Sequence, residues 1–380
     1  MASTSMTRNW AELPQELLQL CSQRLCLKNL SAFQAVCRSW QSAAVKERSD
    51  VPWLMLTDKK GMPWREFFCL SCQQVHKKLL PEVMANGYFS SRGWVLMTSR
   101  DGEFHMLKNP MSRYSHIIKL PNWNKFPNIE DLPFFDVEFV RKFILSDSPT
   151  TSPDYKVMVM DDTGQLGLWK SGEEEWTAVN SPTDEFYDVI YYKGSFLAVD
   201  YEDRILRCDV DGPTPFEAQV VFQVPQRLQE FEHEYPSGSL WDLDQVYLVQ
   251  STTGSLLFVS KWEQLTSTIT FRFRVLEIDL DTQTCTEVEN LENTSLFLGY
   301  TNSSFSLEVD EDHLIKPNCI YFTYFWLSSS QFTEDGGDTG MGIYHLEDGT
   351  VELHVKGNLL LRFGSNHAFK PQLKSLACCQ

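Results

Sequence analysis

The chain has 380 residues, 42% of them hydrophobic and 13% aromatic, and a formal net charge of −18. This composition allows a sizeable core and excludes a wholly disordered chain. A chain this acidic lacks the basic face on which generic nucleic-acid binding depends, so we expect no nucleic-acid partner. The N-terminus has no apolar signal segment, and no run of eighteen apolar residues follows, so we expect no membrane span. The expected location is the nucleus and/or the cytoplasm, with reduced cysteines.

The charge divides the chain near residue 50. Residues 1–50 hold six Lys or Arg and four Asp or Glu, a net of +2, so the remainder carries −20. The length allows more than one domain. We therefore predict a helical domain over residues 8–50, a large domain over residues 51–365 and a C-terminal tail over residues 366–380.

Residues 10–44 have the pattern of three short helices. Pro14 suits a first helical turn. An apolar stripe follows at helical spacing, formed by Leu17, Leu18, Cys21 and Leu25. Ser31 is expected to cap a second helix and Ser39 a third. Periodicity alone leaves two interpretations open, a cap on the following domain or a bundle that binds a partner, because the apolar residues exceed what three short helices can cover.

Specific residues decide between these interpretations. They are Leu13-Pro14-Gln15-Glu16-Leu17-Leu18, Arg24-Leu25, Leu30, Phe33 and Val36-Cys37-Arg38-Ser39-Trp40. In order and spacing this segment resembles an F-box. The resemblance implies docking on the adaptor subunit of cullin–RING ubiquitin ligases. The adaptor-binding residues that it implies are Leu13, Pro14, Leu17, Leu25, Leu30, Val36 and Trp40. Cys21 departs from the family, which usually has a larger aliphatic residue there.

From residue 51 onward, short β-type runs alternate with turn signals about every ten residues. A unit of four runs recurs loosely, with copies that begin near residues 140, 187, 246 and 295 and two less regular copies before them. About six such units predict a large all-β domain, a six-bladed β-propeller, with five or seven blades also open. The first unit lacks one strand, which we expect residues 359–363 to supply.

The second half of the chain resembles plant F-box proteins of the KIB type. The residues that carry this resemblance are Asp188-Val189-Ile190-Tyr191-Tyr192-Lys193-Gly194, Ser295-Leu296-Phe297-Leu298-Gly299, Ser304-Phe305-Ser306-Leu307, Lys316-Pro317-Asn318-Cys319-Ile320-Tyr321-Phe322 and Gly342-Ile343-Tyr344. The resemblance implies a propeller-like domain that recruits a substrate. It implies no catalytic residues.

A long loop over residues 121–133 is the preferred candidate for target contact. Trp123 and Phe126 would be exposed anchors there, because aromatic side chains are enriched at interfaces. The alternative is that both rings pack against the side of the propeller.

No motif for an enzyme, a metal or a cofactor stands out. Cys69 and Cys72 have C-x-x-C spacing with His76 nearby, but no second pair follows, so no metal site is predicted. The predicted function is a non-catalytic substrate receptor of an SCF-type ligase, with the adaptor, through it cullin, and a protein substrate as partners. Two alternatives stay open: a propeller interaction module outside a ligase, and a propeller hydrolase.

Overall fold

The computed structural model describes residues 10–44, 53–55, 64–69, 74–79, 87–99, 101–108, 116–126, 140–161, 163–183, 185–212, 216–225, 242–265, 269–299, 303–309, 315–326, 338–354 and 378–379. The N-terminal part is helical, as predicted. It consists of a 3-10 turn at Trp10–Glu12 and the helices α1 (Gln15–Gln23), α2 (Leu27–Gln34) and α3 (Arg38–Ala43). No described helix is long and apolar enough to span a membrane.

The starts of the second and third helices differ from the prediction. Cys26 precedes α2 and Cys37 precedes α3, both in extended conformation and without a side-chain capping bond. Ser31 and Ser39 therefore lie inside helices, and their predicted capping role is wrong. The Cys26 side chain is 3% exposed, so tertiary packing, rather than a capping hydroxyl, accompanies the start of α2.

The rest of the described chain is formed by strands. The first two sheets contain β1 (Trp53–Met55), β2 (Trp64–Cys69), β3 (Gln74–Leu79), β4 (Gly87–Ser91), β5 (Trp94–Thr98), β6 (Phe104–Lys108) and β7 (Ile117–Leu120). The next eight strands are β8 (Val140–Leu145), β9 (Lys156–Asp161), β10 (Leu166–Lys170), β11 (Thr177–Asn180), β12 (Phe186–Tyr192), β13 (Ser195–Asp200), β14 (Arg204–Asp209) and β15 (Phe216–Gln223).

The last ten strands are β16 (Asp242–Gln250), β17 (Leu256–Leu265), β18 (Ile269–Asp279), β19 (Thr284–Glu287), β20 (Thr294–Leu298), β21 (Phe305–Glu308), β22 (Cys319–Trp326), β23 (Asp338–His345), β24 (Val351–His354) and β25 (Cys378–Cys379). The prediction of a large all-β domain is thus confirmed.

Antiparallel meanders form most of the sheets, but in the last one β20 pairs parallel with β22. The strand orders are β25-β1-β2-β3, β4-β5-β6-β7, β12-β13-β14-β15-β11-β10-β9-β8, β16-β17-β18-β19 and β21-β20-β22-β23-β24. The eight-stranded sheet consists of two four-stranded meanders that are joined by the parallel pair β11 and β15. Six groups of strands result among the described residues, while the number of blades stays a prediction.

The first sheet is completed from the far end of the chain. Residues 359–363, which were expected to supply its missing strand, lie outside the described residues. Instead β25 pairs antiparallel with β1, with Trp53 opposite Cys379. Part of the predicted C-terminal tail therefore belongs to the sheet system.

The apolar cores lie between successive sheets. One cluster joins β4–β7 to β8–β11, through Phe104, Phe143 and Trp176 among others. The next clusters join β8–β11 to β12–β15, β12–β15 to β16–β19, and β16–β19 to β20–β24. The groups β8–β11, β12–β15 and β16–β19 each lie between two of these clusters, and strands such as β5 and β9 are buried along nearly their whole length. The repeat unit of this domain is therefore a sheet that packs on its two neighbours, as in a propeller.

A buried ion pair connects the first strands of several sheets. Lys142 Nζ of β8 lies 2.8 Å from Asp188 Oδ1 of β12, and both side chains are 1% exposed. Lys142 Nζ also donates to the Gly299 carbonyl after β20. Asp188 accepts from its neighbour Val189 and, through Oδ2, from the backbone N–H of Leu248 in β16 at 2.9 Å. Burial lowers the pKa of Lys142 and raises the pKa of Asp188, while the opposite charge of the partner counteracts both shifts.

We expect Lys142→Met to lower the free energy of unfolding by about 3–5 kcal/mol, because it leaves the Asp188 carboxylate buried without its cation. The double variant Lys142→Met with Asp188→Leu should lose less than this single variant, since it removes both charges. Urea unfolding of the full chain measures these differences.

The exposed pair of Lys119 and Glu103 supplies the control. Its atoms lie 2.5 Å apart, but both side chains are well exposed, so Lys119→Met should change stability little. If the double variant were less stable than Lys142→Met alone, the buried pair would not act as a unit.

Candidate functional site

Exposed apolar side chains concentrate on the N-terminal helices. Trp10 is 60% exposed, Leu17 49%, Leu20 54% and Val36 57%. These four residues, hereafter the N-terminal apolar face, are half of the eight highly exposed large hydrophobic residues in the described chain, yet they fall within only 35 residues. Exposed apolar surface of this kind is a feature of sites that contact other proteins, so these residues are candidates for partner contact.

A small core under this face holds the helices together. It contains the buried residues Leu18, Phe33 and Ala43, with Leu13, Leu25, Trp40 and Ala44 packed around them. The rings of Phe33 and Trp40 lie 4.5 Å apart, between α2 and α3. Ser22 Oγ donates to the carbonyl of Gln19 within α1 and lies 3.4 Å from the carbonyl of Ala43. The inner side of α1 is thus formed by Leu18 and Ser22, and Leu17 and Leu20 remain outside.

The 3-10 turn that carries Trp10 is attached to α3. Trp40 Nε1 donates to the carbonyl of Trp10 at 3.1 Å, and Ser39 Oγ donates to the carbonyl of Ala11 at 3.2 Å. Ser39 also contacts Cys37 Sγ at 3.0 Å, and that hydrogen bond lowers the pKa of the Cys37 thiol. The polar atoms of Ser39 and Trp40 therefore place Trp10 on the outer surface.

The seven predicted adaptor-binding residues divide into two groups. Pro14, Leu17 and Val36 are exposed and are available for contact. The others are Leu30, which is 3% exposed, and Leu13, Leu25 and Trp40, which are partly buried around the helical core. The first group can touch a partner, whereas the second mainly shapes the surface. Trp10 and Leu20 are exposed to a similar extent, although the sequence prediction did not include them.

A pocket of about 280 Å³ opens at the carboxyl ends of β4, β8, β12 and β16. Arg92 and Tyr191 lie at this pocket, and the Arg92 guanidinium is 5.7 Å from the Tyr191 ring centre. Arg92 Nε also donates to the carbonyl of Leu145 at 3.0 Å. Ser303 and Ser304 line the same pocket, but their hydroxyl oxygens are buried. The pocket thus offers a cation and an aromatic ring to a visiting ligand.

Arg92 adopts an unfavourable backbone conformation at this position. The turn between β4 and β5 is Arg92-Gly93, with φ values of 47° and 77°. Two consecutive positive φ values are typical of a tight type I′ hairpin turn, in which Asn, Asp or Gly is preferred at the first position and arginine is unfavourable. Strained residues of this kind are enriched at binding sites. The turn at Lys193-Gly194, between β12 and β13, has the same geometry, with φ values of 44° and 87°.

Trp123 and Phe126, the predicted target-binding residues, lie against the core in this structure. Phe126 is 3% exposed, and its ring covers Gly167, where an added methyl group would lie 2.2 Å from a ring atom. Trp123 is partly buried and covers Gly102 in the same way. Both rings are committed to packing, as in the alternative interpretation, and their role in target contact stays a prediction. Residues 127–133 of this loop lie outside the described residues.

Comparison with known proteins gives two family matches. The model for the F-box domain matches residues 10–51, and the model described as KIB1-4 beta-propeller matches residues 67–345. Among curated relatives, the F-box protein SKIP23 of Arabidopsis thaliana is 25% identical over 390 residues, which covers 92% of each chain. The putative F-box protein At5g55150 of the same plant is 22% identical, covering 83% of this chain and 85% of its own.

Among solved structures, YCF48 bound to D1 peptide aligns with a TM-score of 0.34 at 12% identity. The alignment covers 83% of this chain and 81% of that chain.

The two sides of α1 can be separated by substitution. Leu18→Ala should cost about 2–5 kcal/mol of local stability, because it empties a site in the small helical core. Leu20→Ala on the outer side of the same helix should change stability by less than about 0.5 kcal/mol. Hydrogen exchange of α1 peptides in the full chain measures both. Equal protection in the two variants would contradict this assignment of the inner and outer sides.

Proposed function

Because this chain belongs to the KIB1-4 beta-propeller family and carries an F-box domain, we propose that it is the substrate-receptor subunit of a cullin–RING (SCF-type) ubiquitin ligase. The F-box helices dock on the adaptor, and the propeller holds a target protein. Holding the target beside the transfer machinery makes ubiquitin transfer effectively intramolecular, which favours the reaction without any catalytic group on this chain.

The observation that carries the proposal is the N-terminal apolar face. Trp10, Leu17, Leu20 and Val36 are each about half exposed or more. Arg24 and Arg38, also exposed on these helices, contribute to the net positive charge of residues 1–50. An apolar centre with charged residues at its edge is the usual anatomy of a protein–protein interface. The adaptor, and through it cullin, is the partner that an F-box implies.

The pocket at Arg92 and Tyr191 is the target-binding site that we propose. Arginine and tyrosine are enriched among residues that dominate binding energy. A protein segment that enters the mouth of the propeller would contact both side chains.

No catalytic role is part of the proposal. Asp188, which lies among the first strands of the sheets, accepts two backbone hydrogen bonds and pairs with Lys142. A carboxylate held in this way has a structural role, which does not favour the hydrolase alternative. We place the protein in the nucleus and/or the cytoplasm, where the free thiols of the described cysteines would persist.

We expect Leu17→Asp combined with Val36→Asp to weaken adaptor binding by about tenfold or more, because a buried apolar contact is replaced by unpaired charges. Both residues are exposed, so thermal stability should stay unchanged. Co-purification and titration of the full chain with purified adaptor give the measurement.

Val220→Asp is the matched control, since Val220 on β15 is 47% exposed. It should leave adaptor binding intact. Wild-type chain that never binds the adaptor, or a double variant that binds like wild type, would contradict the proposal and favour an interaction module outside a ligase.

A second prediction concerns the target. In cells, proximity labelling with the Leu17→Asp/Val36→Asp variant should enrich bound targets, because they are no longer degraded. Adding Arg92→Glu should remove part of that enriched set, since it reverses the charge at the pocket.

Arg207→Glu is the control for this experiment. Arg207 is an exposed arginine on β14, outside the pocket at Arg92. If Arg92→Glu and Arg207→Glu left the same enriched proteins, the target would bind elsewhere on the propeller.

A further inference from the structure

Three possible metal ligands meet where the helical domain contacts the first sheet. Cys26 precedes α2, Cys69 ends β2 and His76 lies in β3. Their side chains are 3%, 0% and 4% exposed, and their ligand atoms all lie within 4.8 Å of one another. One ligand comes from the helical part and two come from the sheet, fifty residues apart in sequence at most. Neither part would therefore form the cluster alone.

The spacing of these atoms fits a tetrahedral ion. Zinc bonds of about 2.0–2.3 Å place two ligand atoms about 3.5–3.8 Å apart. Cys26 Sγ and His76 Nε2 are separated by 3.8 Å. The ligand atoms of the other two pairs are at most 4.8 Å apart, so closing the site around an ion needs a contraction of about 1.3 Å or less.

The chemistry of the cluster selects zinc. Two thiolates and a neutral imidazole form a soft set of sulfur and nitrogen ligands, which zinc prefers and magnesium or calcium does not. Two thiolates also neutralise a divalent cation, so a filled site carries no net charge in its buried surroundings.

We propose that Cys26, Cys69 and His76 bind one zinc ion that joins the helical domain to the propeller. Binding releases the two thiol protons to solvent and forms two Zn–S bonds and one Zn–N bond, with no change of oxidation state. Three protein ligands leave the fourth tetrahedral position to an exogenous ligand such as water. The proposal replaces the sequence prediction of no metal site, in which Cys69 was paired with Cys72, a residue outside the described ones.

A zinc ion here would fix the orientation of the N-terminal apolar face relative to the first sheet. The ring of His76 also packs on Trp53 of β1, with centres 5.0 Å apart, so the ion would hold the start of α2 against three elements of the first sheet. This inference does not depend on adaptor binding, because Leu17 and Val36 point to solvent while the cluster is buried.

Metal analysis of the full chain, expressed with zinc in the medium and purified without chelator, tests the site. We expect about one zinc per chain in the wild type, and less than a tenth of that in Cys26→Ser and Cys69→Ser. The control is Cys208→Ser, because Cys208 is equally buried but lies on β14 in an apolar core; it should keep its zinc.

Cobalt substitution keeps the test independent of variant folding. Wild-type chain stripped of metal and titrated with Co²⁺ should show the near-ultraviolet thiolate charge-transfer band and the visible bands of a tetrahedral site. Stripping should also raise hydrogen exchange in α2 peptides but leave β17 peptides unchanged.

Wild-type chain without zinc and without a thiolate–cobalt band would overturn the proposal. So would zinc content that is unchanged in both cysteine variants, or a mass two daltons lower that maps a Cys26–Cys69 disulfide in the protein as isolated.

Discussion

The contact between Lys142 and Asp188 is the interaction around which the sheets are arranged. It joins β8 to β12 directly, and its remaining hydrogen bonds reach Leu248 on β16 and Gly299 after β20. Removing two charges from water is expensive, and a buried pair rarely adds stability over apolar side chains. The pair instead specifies the arrangement of the strands, because the Asp188 carboxylate can bond to all three of its donors only when the strands that supply them are in one relative position. Leucines alone would allow neighbouring sheets to slide.

Besides the Lys142–Asp188 pair, two other kinds of interaction stabilise the domain. Between the sheets, apolar clusters such as that of Phe143 and Trp176 provide most of the burial. At the sheet ends, aspartates form the turns: Asp161 Oδ1 accepts from the N–H groups of Thr163 and Gln165, and Asp279 accepts from those of Asp281 and Thr282. Some of the acidic residues of the chain therefore have a structural role in turns. Arg92, by contrast, places a positive charge at the pocket of this acidic protein.

Sequence patterns predicted the strands well and the helix details poorly, for physical reasons. Alternation and turn residues are local, so the runs near residues 140, 187 and 246 appear as strands. Strand β21 was not predicted, because its pairing with β20 depends on a partner strand rather than on its own four residues. In α1, Leu17 and Leu18 are adjacent and equally apolar, and packing with Phe33 of α2 and Ala43 of α3 decides that Leu18 is inside. The pairing of β25 with β1 joins opposite ends of the chain, which no local signal encodes.

The exposed leucines of α1 lower the stability of the helical bundle, and contact with the first sheet compensates for this loss. A bundle of 23 helical residues in α1, α2 and α3 cannot bury enough surface to be stable if it also keeps Leu17, Leu20 and Val36 in water. The buried Cys26, in contact with His76 of β3, shows that the bundle uses the propeller as a support. The short helices therefore depend on a rigid β domain behind them. In the proposed ligase complex, the same contact would determine where a target lies relative to the adaptor.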